Sequence, residues 1–222
     1  SGMGGRHTEK EYPESNISMQ ETMFVPLSWE NYEENQRMTV ELQNRLKEII
    51  ESADGARVMG IGTEGGLAAY IEKEPGDLLP EERLWRMAKQ TIEECGYVPG
   101  RDVALALDPA LSELTHAYRE KFEQPDAIGM YLTWRDKEQV VMTREEVFEL
   151  YRKTIEEENI PIVSIEDGFA EDDYAGWQLL MREMGDEILI IGDDLVTTKD
   201  STIERAADEK WTNAILIKAN QI

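Results

Sequence analysis

Apolar residues in this chain gather into short runs that stop abruptly at charge, and the clearest case lies between Pro161 and Asp194. The runs Ile162 to Ile165 and Ile188 to Ile191 lead into Glu166–Asp167 and Asp193–Asp194. Between them Tyr174, Trp177, Leu180, Met181 and Met184 recur at helical spacing. The pattern predicts strand, helix, strand, with four acids at the carboxyl ends of the strands. Parallel strands covered on both faces read as continuous apolar runs, and in a barrel their carboxyl ends carry the chemistry. VALALD repeats the pattern upstream and ends at Asp108; AILIK repeats it downstream and ends at Lys218.

The remaining periodicity fills in the frame. Met19 to Pro26 predicts a strand, and Trp29 to Ile50 a long helix with Met38, Leu42, Leu46 and Ile49 on one face. Arg57 to Gly62 predicts a strand entering the turn GTEGG, and Leu79 to Cys95 a helix that Gly96 stops. Asp102 to Asp108 and Ile128 to Trp134 predict strands, with Leu111 to Phe122 helical or irregular between them. Thr143 and Glu146 have the spacing of a capping box, which starts a helix running to Asn159. A helix over Ser201 to Glu209 precedes a strand over Ala214 to Lys218. The polar, glycine-rich residues before Met19 predict a loop. Without a low-complexity linker, residues 1–222 read as one α/β domain with a parallel barrel. Some strands are expected in a side hairpin, leaving five or six of the roughly eight that close a barrel, so the barrel is expected to be incomplete.

Composition narrows the function. The 222 residues carry 47 acids against 23 Lys plus Arg, a formal charge of −24, and 41% are hydrophobic. Such a surface repels phosphate backbones, which argues against nucleic acid and anionic membranes as partners. An anionic substrate still fits where a cation reverses the local field. Cys95 is the only cysteine, which excludes an intrachain disulfide and suits a reducing compartment. No apolar run approaches the roughly 20 residues of a membrane span, and the expectation is a cytoplasmic protein.

Asp108, Glu166 and Asp193 offer hard oxygen ligands from three strands, an arrangement that suits Mg²⁺ when water and substrate fill its other positions. A single acid after a strand is ordinarily a helix cap or a solvated loop residue; three at matched positions beside a lysine are a stronger signal. Lys218 follows Ile215, Leu216 and Ile217, and a nearby cation with low dielectric is expected to lower its pKa and leave an amine able to take a proton. The alternative for Lys218 is a structural salt bridge to Asp194. In GTEGG the glycines let the backbone turn tightly and leave Glu64 reachable. Glu21, after Gln20, interrupts an otherwise uncharged strand. Spacing alone does not lift Glu64, Glu21 or His7 above surface residues. His116, Cys95, Trp29, Trp85, Trp177 and Trp211 read as packing residues.

Taken together, VSIEDGFAEDDYAGW, IIGDDLVTT and ILIKANQI resemble the enolase (phosphopyruvate hydratase) family, in the family's order. LALDPALSEL is similar to its aspartate-bearing strand, GTEGG to its DEGG turn, MQETMFVP to its QEFMIMP strand and GGRHT to its GGSHA loop. The resemblance implies an enolase-type TIM-like barrel, with Asp108, Glu166 and Asp193 as Mg²⁺ ligands. It implies Lys218 as the base that removes the C2 proton of 2-phosphoglycerate, and Glu64, supported by Glu21, as the acid side in loss of the C3 hydroxyl to give phosphoenolpyruvate. His7, Gln20, Glu21 and Lys218 would lie close to substrate, and a homo-oligomer, dimer or higher, is implied.

The chain departs from the family pattern at Thr63, where the family has Asp, at Arg6, where it has Ser, and at Thr22, where it has Phe. These bear on loop geometry and substrate fit. The family's amino-terminal domain and its last barrel units are expected to be absent, so residues 1–222 alone are expected to be inactive. Two other functions share these residues: another lyase or racemase of the enolase superfamily, and an enolase-derived binding or scaffold protein without catalysis.

Overall fold

The computed structural model describes residues 2–5, 8, 10–27, 31–134 and 138–221. Two compact units emerge: residues 1–107 with 154–162, and residues 108–153 with 163–222. Among the described residues no helix is long and apolar enough to cross a membrane.

The first unit contains β1 (Gly2–Gly4), β2 (Glu21–Pro26), α1 (Tyr32–Ser52), β3 (Ala56–Ile61), β4 (Leu67–Ile71), α2 (Pro80–Glu94) and β5 (Val103–Asp108), whose last residue belongs with the second unit. Its strands lie in the order β5-β2-β1-β4-β3. β1 runs antiparallel to β2 and parallel to β4, while β3 and β4 form a hairpin around the GTEGG turn. All six residues of β5 are buried, as the uninterrupted VALALD run requires of a strand covered on both faces. α1 buries Leu42, Leu46, Ile49 and Ile50, a single stripe that packs against α2 and β3. Asn31 caps it by accepting from the Glu34 N–H at 2.9 Å. α2 begins at Pro80, where a missing N–H costs nothing, and Glu82 reaches back to accept from Leu78 and Leu79 N–H.

The second unit contains α3 (Leu111–Phe122), β6 (Met130–Leu132), β7 (Val141–Thr143), α4 (Arg144–Arg152), β8 (Ile162–Glu166), α5 (Tyr174–Met184), β9 (Leu189–Gly192), α6 (Asp200–Asp208) and β10 (Ala214–Ile215). β8, β9 and β10 lie side by side and parallel, the βα alternation expected of a barrel wall. Thr143 and Glu146 do form a capping box at α4. Asp173, fully buried, caps α5 through the Gly176 N–H, accepts from the Tyr131 hydroxyl at 2.6 Å and pairs with Arg144 at 2.5 Å. That network ties the β6–β7 hairpin to the loop after β8. Neither unit closes its sheet on itself among the described residues, as expected of an incomplete barrel.

Five expectations change. The loop expected before Met19 contains the short strand β1, which pairs with β2 and β4. β4 was not anticipated: LAAYI is short and follows the turn directly, although Leu67, Ala68, Ala69 and Ile71 are all buried. The strand expected over Ile128 to Trp134 shrinks to β6, which pairs only with β7 among the described residues, and Leu132 and Met130 pack on Ala117 and Tyr118 of α3. The helix expected to reach Asn159 changes pitch to a π-helix over Lys153–Glu157. The last expected strand leaves its ladder after Ile215, and the Lys218 N–H donates to the Thr198 hydroxyl at 3.1 Å instead.

Candidate functional site

The second unit holds the carboxylates and the lysine. β8 and β9 pair with Glu166 opposite Ile191, so Glu166–Asp167 and Asp193–Asp194 leave neighbouring parallel strands at the same end. Asp167 takes φ 42°, a left-handed conformation uncommon for a residue with a Cβ. Its buried carboxylate braces the exit of β9: Oδ1 accepts from the Asp193 N–H at 3.1 Å and Oδ2 from the Asp194 N–H at 2.9 Å. Burial pushes this carboxyl up to about 6, against the lowering effect of those two amides.

Asp193 is buried too. Its Oδ2 accepts from the Lys218 ammonium, while its Oδ1 is buried with no hydrogen-bond partner. An orphaned buried acceptor costs about 1–3 kcal/mol and marks a place where a cation or donor belongs. Carboxylate oxygens of Asp167, Asp193 and the exposed Asp194 lie within 4.8 Å of one another. This group can bind a metal: its donors are all hard oxygens, the set that a small divalent cation such as Mg²⁺ prefers. Each Asp167 oxygen already accepts an amide, so Asp167 acts chiefly as a brace and Asp193 keeps the spare ligand capacity.

The expected ligand set shares Asp193 with this group. Asp108 ends β5 with its Oδ1 accepting from the Ala110 N–H at 3.1 Å, just where Ala110, at φ 50°, turns the chain into α3. The Asp108 charge reaches the Tyr151 hydroxyl, which burial and that charge push well above its ordinary pKa. Half-buried Glu166 acts on Lys218 through its charge.

The acids around Lys218 favour its charged form. Its pKa is raised, first by the bond to Asp193 and then by the charges of Asp193, Asp194 and Glu166, and burial only partly opposes them. The side chain is 39% exposed. Its salt-bridge partner is Asp193, in place of Asp194.

The first unit holds the other candidates. Glu21 opens β2 and hydrogen-bonds through its carboxyl to Glu64. Burial above all, then that bond and the neighbouring charge, push Glu21 up to about 7. The Glu64 turn is closed by Gly62 N–H to Gly66 C=O at 2.8 Å and by Gly65 N–H to Gly62 C=O at 2.9 Å. Gly65 sits at φ +83°, which suits glycine. A Cβ on Gly62 would come within 2.7 Å of the Thr8 side chain, so Thr8 and the turn are in close contact. Gln20 is half-buried and its C=O accepts from the Gly5 N–H at 2.6 Å. His7 and Arg6 lie outside the described residues, as does Trp29.

A groove of the second unit, about 970 Å³, runs along α5, α6 and β10 past Met181, Ile203 and Ile215 and is lined by none of the candidate residues. Within the second unit the orphaned Asp193 oxygen, outside that groove, marks the candidate site. The brace role of Asp167 was not readable in advance, although its place beside Glu166 at a strand end was the available signal. A sequence model of the family described as "Enolase, C-terminal TIM barrel domain" matches residues 3–222, and the chain belongs to that family.

Proposed function

We propose that the protein carrying this domain removes water from 2-phosphoglycerate to form phosphoenolpyruvate. The observation that carries this reading is Lys218 bonded to Asp193, whose other oxygen is buried without a partner beside two more carboxylates at strand ends. A base held at an acidic, cation-accepting centre is what abstraction of a proton next to a carboxylate needs. Held by Asp108, Glu166 and Asp193, Mg²⁺ would supply positive charge that stabilises the negative charge building on the substrate.

Lys218 takes the C2 proton at Nζ once its ammonium has given up a proton, and its bond to Asp193 limits where Nζ can sit. The carboxyl pair of Glu21 and Glu64 retains a proton near neutral pH. That proton goes to the C3 oxygen as it leaves, which yields water and the C2–C3 double bond. Gln20 and His7 bind substrate in this reading, and the protein works as a homo-oligomer.

Thr63, in place of an acid in the GTEGG turn, favours a second reading as a related lyase or racemase or as a binding protein. Incubating the full-length protein with 2-phosphoglycerate and Mg²⁺ in deuterated water separates these. Phosphoenolpyruvate formation supports the dehydration; exchange at C2 without it points to a racemase; neither result in a folded protein points to a binding role.

A further inference from the structure

Helix α2 presents two buried polar groups, one turn apart, to the segment that carries Gln20 and Glu21. Glu81 is fully buried, and its Oε1 accepts three hydrogen bonds: from the Ser18 N–H at 2.6 Å, the Ser18 hydroxyl at 2.8 Å and the Met19 N–H at 3.0 Å. Trp85, also fully buried, donates its indole N–H to the Thr22 hydroxyl at 3.2 Å. The residues on either side of Gln20–Glu21 are therefore tied to one face of one helix.

Core packing does not call for an acid here. The second Glu81 oxygen is buried without a partner, and burial pushes the carboxyl up against the lowering effect of the bonds from Met19 and Ser18. A buried carboxylate with an orphaned oxygen is a cost to stability. What the arrangement secures is placement: Ser18 and Met19, just before β2, cannot shift without breaking three hydrogen bonds to Glu81, and Thr22 cannot turn without stranding the indole. Thr22 is also a point where the chain departs from the family's phenylalanine, and a phenylalanine there could not accept the Trp85 N–H.

We propose that Glu81 and Trp85 are positioning residues that hold the Glu21 carboxyl against Glu64, with Thr22 as the hydroxyl that completes the clamp. This rests on the dehydration reading for its effect on turnover, because Glu21 and Glu64 are then the acid side of the reaction. Neither Glu81 nor Trp85 touches substrate; both act through the backbone that carries Glu21.

The test uses the full-length protein and compares Glu81→Ala, Glu81→Gln, Trp85→Phe and Thr22→Val, each assayed well below its Tm. Glu81→Ala is expected to lower kcat about 10- to 100-fold through misplacement of the Glu21 carboxyl, with Trp85→Phe and Thr22→Val smaller in the same direction. KM should stay within about two-fold, since substrate contacts are untouched. Glu81→Gln keeps an acceptor oxygen and is expected to recover most of the loss. Folded variants with lowered Tm and wild-type kcat would overturn the proposal; if Glu81→Ala does not fold, Trp85→Phe and Thr22→Val decide it by the same criterion. A wild-type protein that forms no phosphoenolpyruvate defeats the dehydration reading alone. The clamp is then read by carbon-13 NMR of Glu21, whose titration at about 7 should fall toward the ordinary carboxylate range in Thr22→Val and Glu81→Ala. An unchanged titration would overturn it.

Discussion

Glu21 and Glu64, one opening a strand and the other in a glycine turn, meet carboxyl to carboxyl and hydrogen-bond to each other. Two carboxyl groups can do so only while one of them keeps a proton, because ionised carboxylates are acceptors alone. Burial is the larger reason that Glu21 keeps its proton up to about 7, and the bond to Glu64 is the next. A carboxyl that is still an acid at neutral pH is the kind of group that can protonate a departing hydroxyl.

That pair makes stability depend on pH in a definite direction. Unfolded, Glu21 titrates near its ordinary value of 4.5; folded, it titrates near 7, so the folded state binds the extra proton between those values. Its contribution to stability is thus full below the lower value and lost as pH rises through the upper one. Glu21→Gln removes this loss, so the Tm of the variant relative to wild type should rise between about pH 5 and about pH 8. The same difference at both pH values would show that Glu21 titrates normally.

Lys218 is held by Asp193, and separating its two roles takes two measurements. As the base, Lys218→Ala should lose exchange of the substrate C2 proton by factors of about 10² to 10⁴. Divalent-ion affinity without substrate should not fall, because the substitution removes an ammonium that competes for the Asp193 carboxylate. Retained exchange would return Lys218 to a structural salt bridge.

Asp167 should behave as a brace. Asp167→Ala strands the Asp193 and Asp194 amides and is expected to cost about 1–3 kcal/mol of stability in thermal or urea denaturation. Mg²⁺ affinity, measured by calorimetry, should drop about 10- to 100-fold through misplacement of Asp193, and Asp167→Asn, which keeps one acceptor oxygen, should lose less. Equal losses of affinity in Asp167→Asn and Asp193→Asn would make Asp167 a direct ligand.

The strands that read most clearly in the sequence were those with long apolar runs. Val103 to Asp108, Ile162 to Glu166 and Leu189 to Gly192 lie within a residue or two of expectation; the first is buried throughout, and a strand covered on both faces tolerates almost no polar residue, whereas Leu189 is exposed although its run is as apolar. Leu67 to Ile71 went unread because five residues following directly on a turn give no period to count. Ile215 to Lys218 read as one strand, but the ladder ends at Ile215, and an apolar run does not reveal whether a neighbour is there to pair with. The acids and the lysine were visible as residue types at strand ends. Their partners were not: whether Lys218 bonds to Asp193 or Asp194, or that Asp167 braces the next strand, depends on side-chain directions that no spacing records. The Glu21–Glu64 bond joins residues from separate elements, and only the family resemblance put them in one role.

The most direct test of the account is phosphoenolpyruvate formation from 2-phosphoglycerate by the full-length protein, followed with Mg²⁺ present and after chelation. Formation is expected to require the cation and to be lost in Lys218→Ala. A folded, Mg²⁺-supplied protein that forms no phosphoenolpyruvate would contradict it.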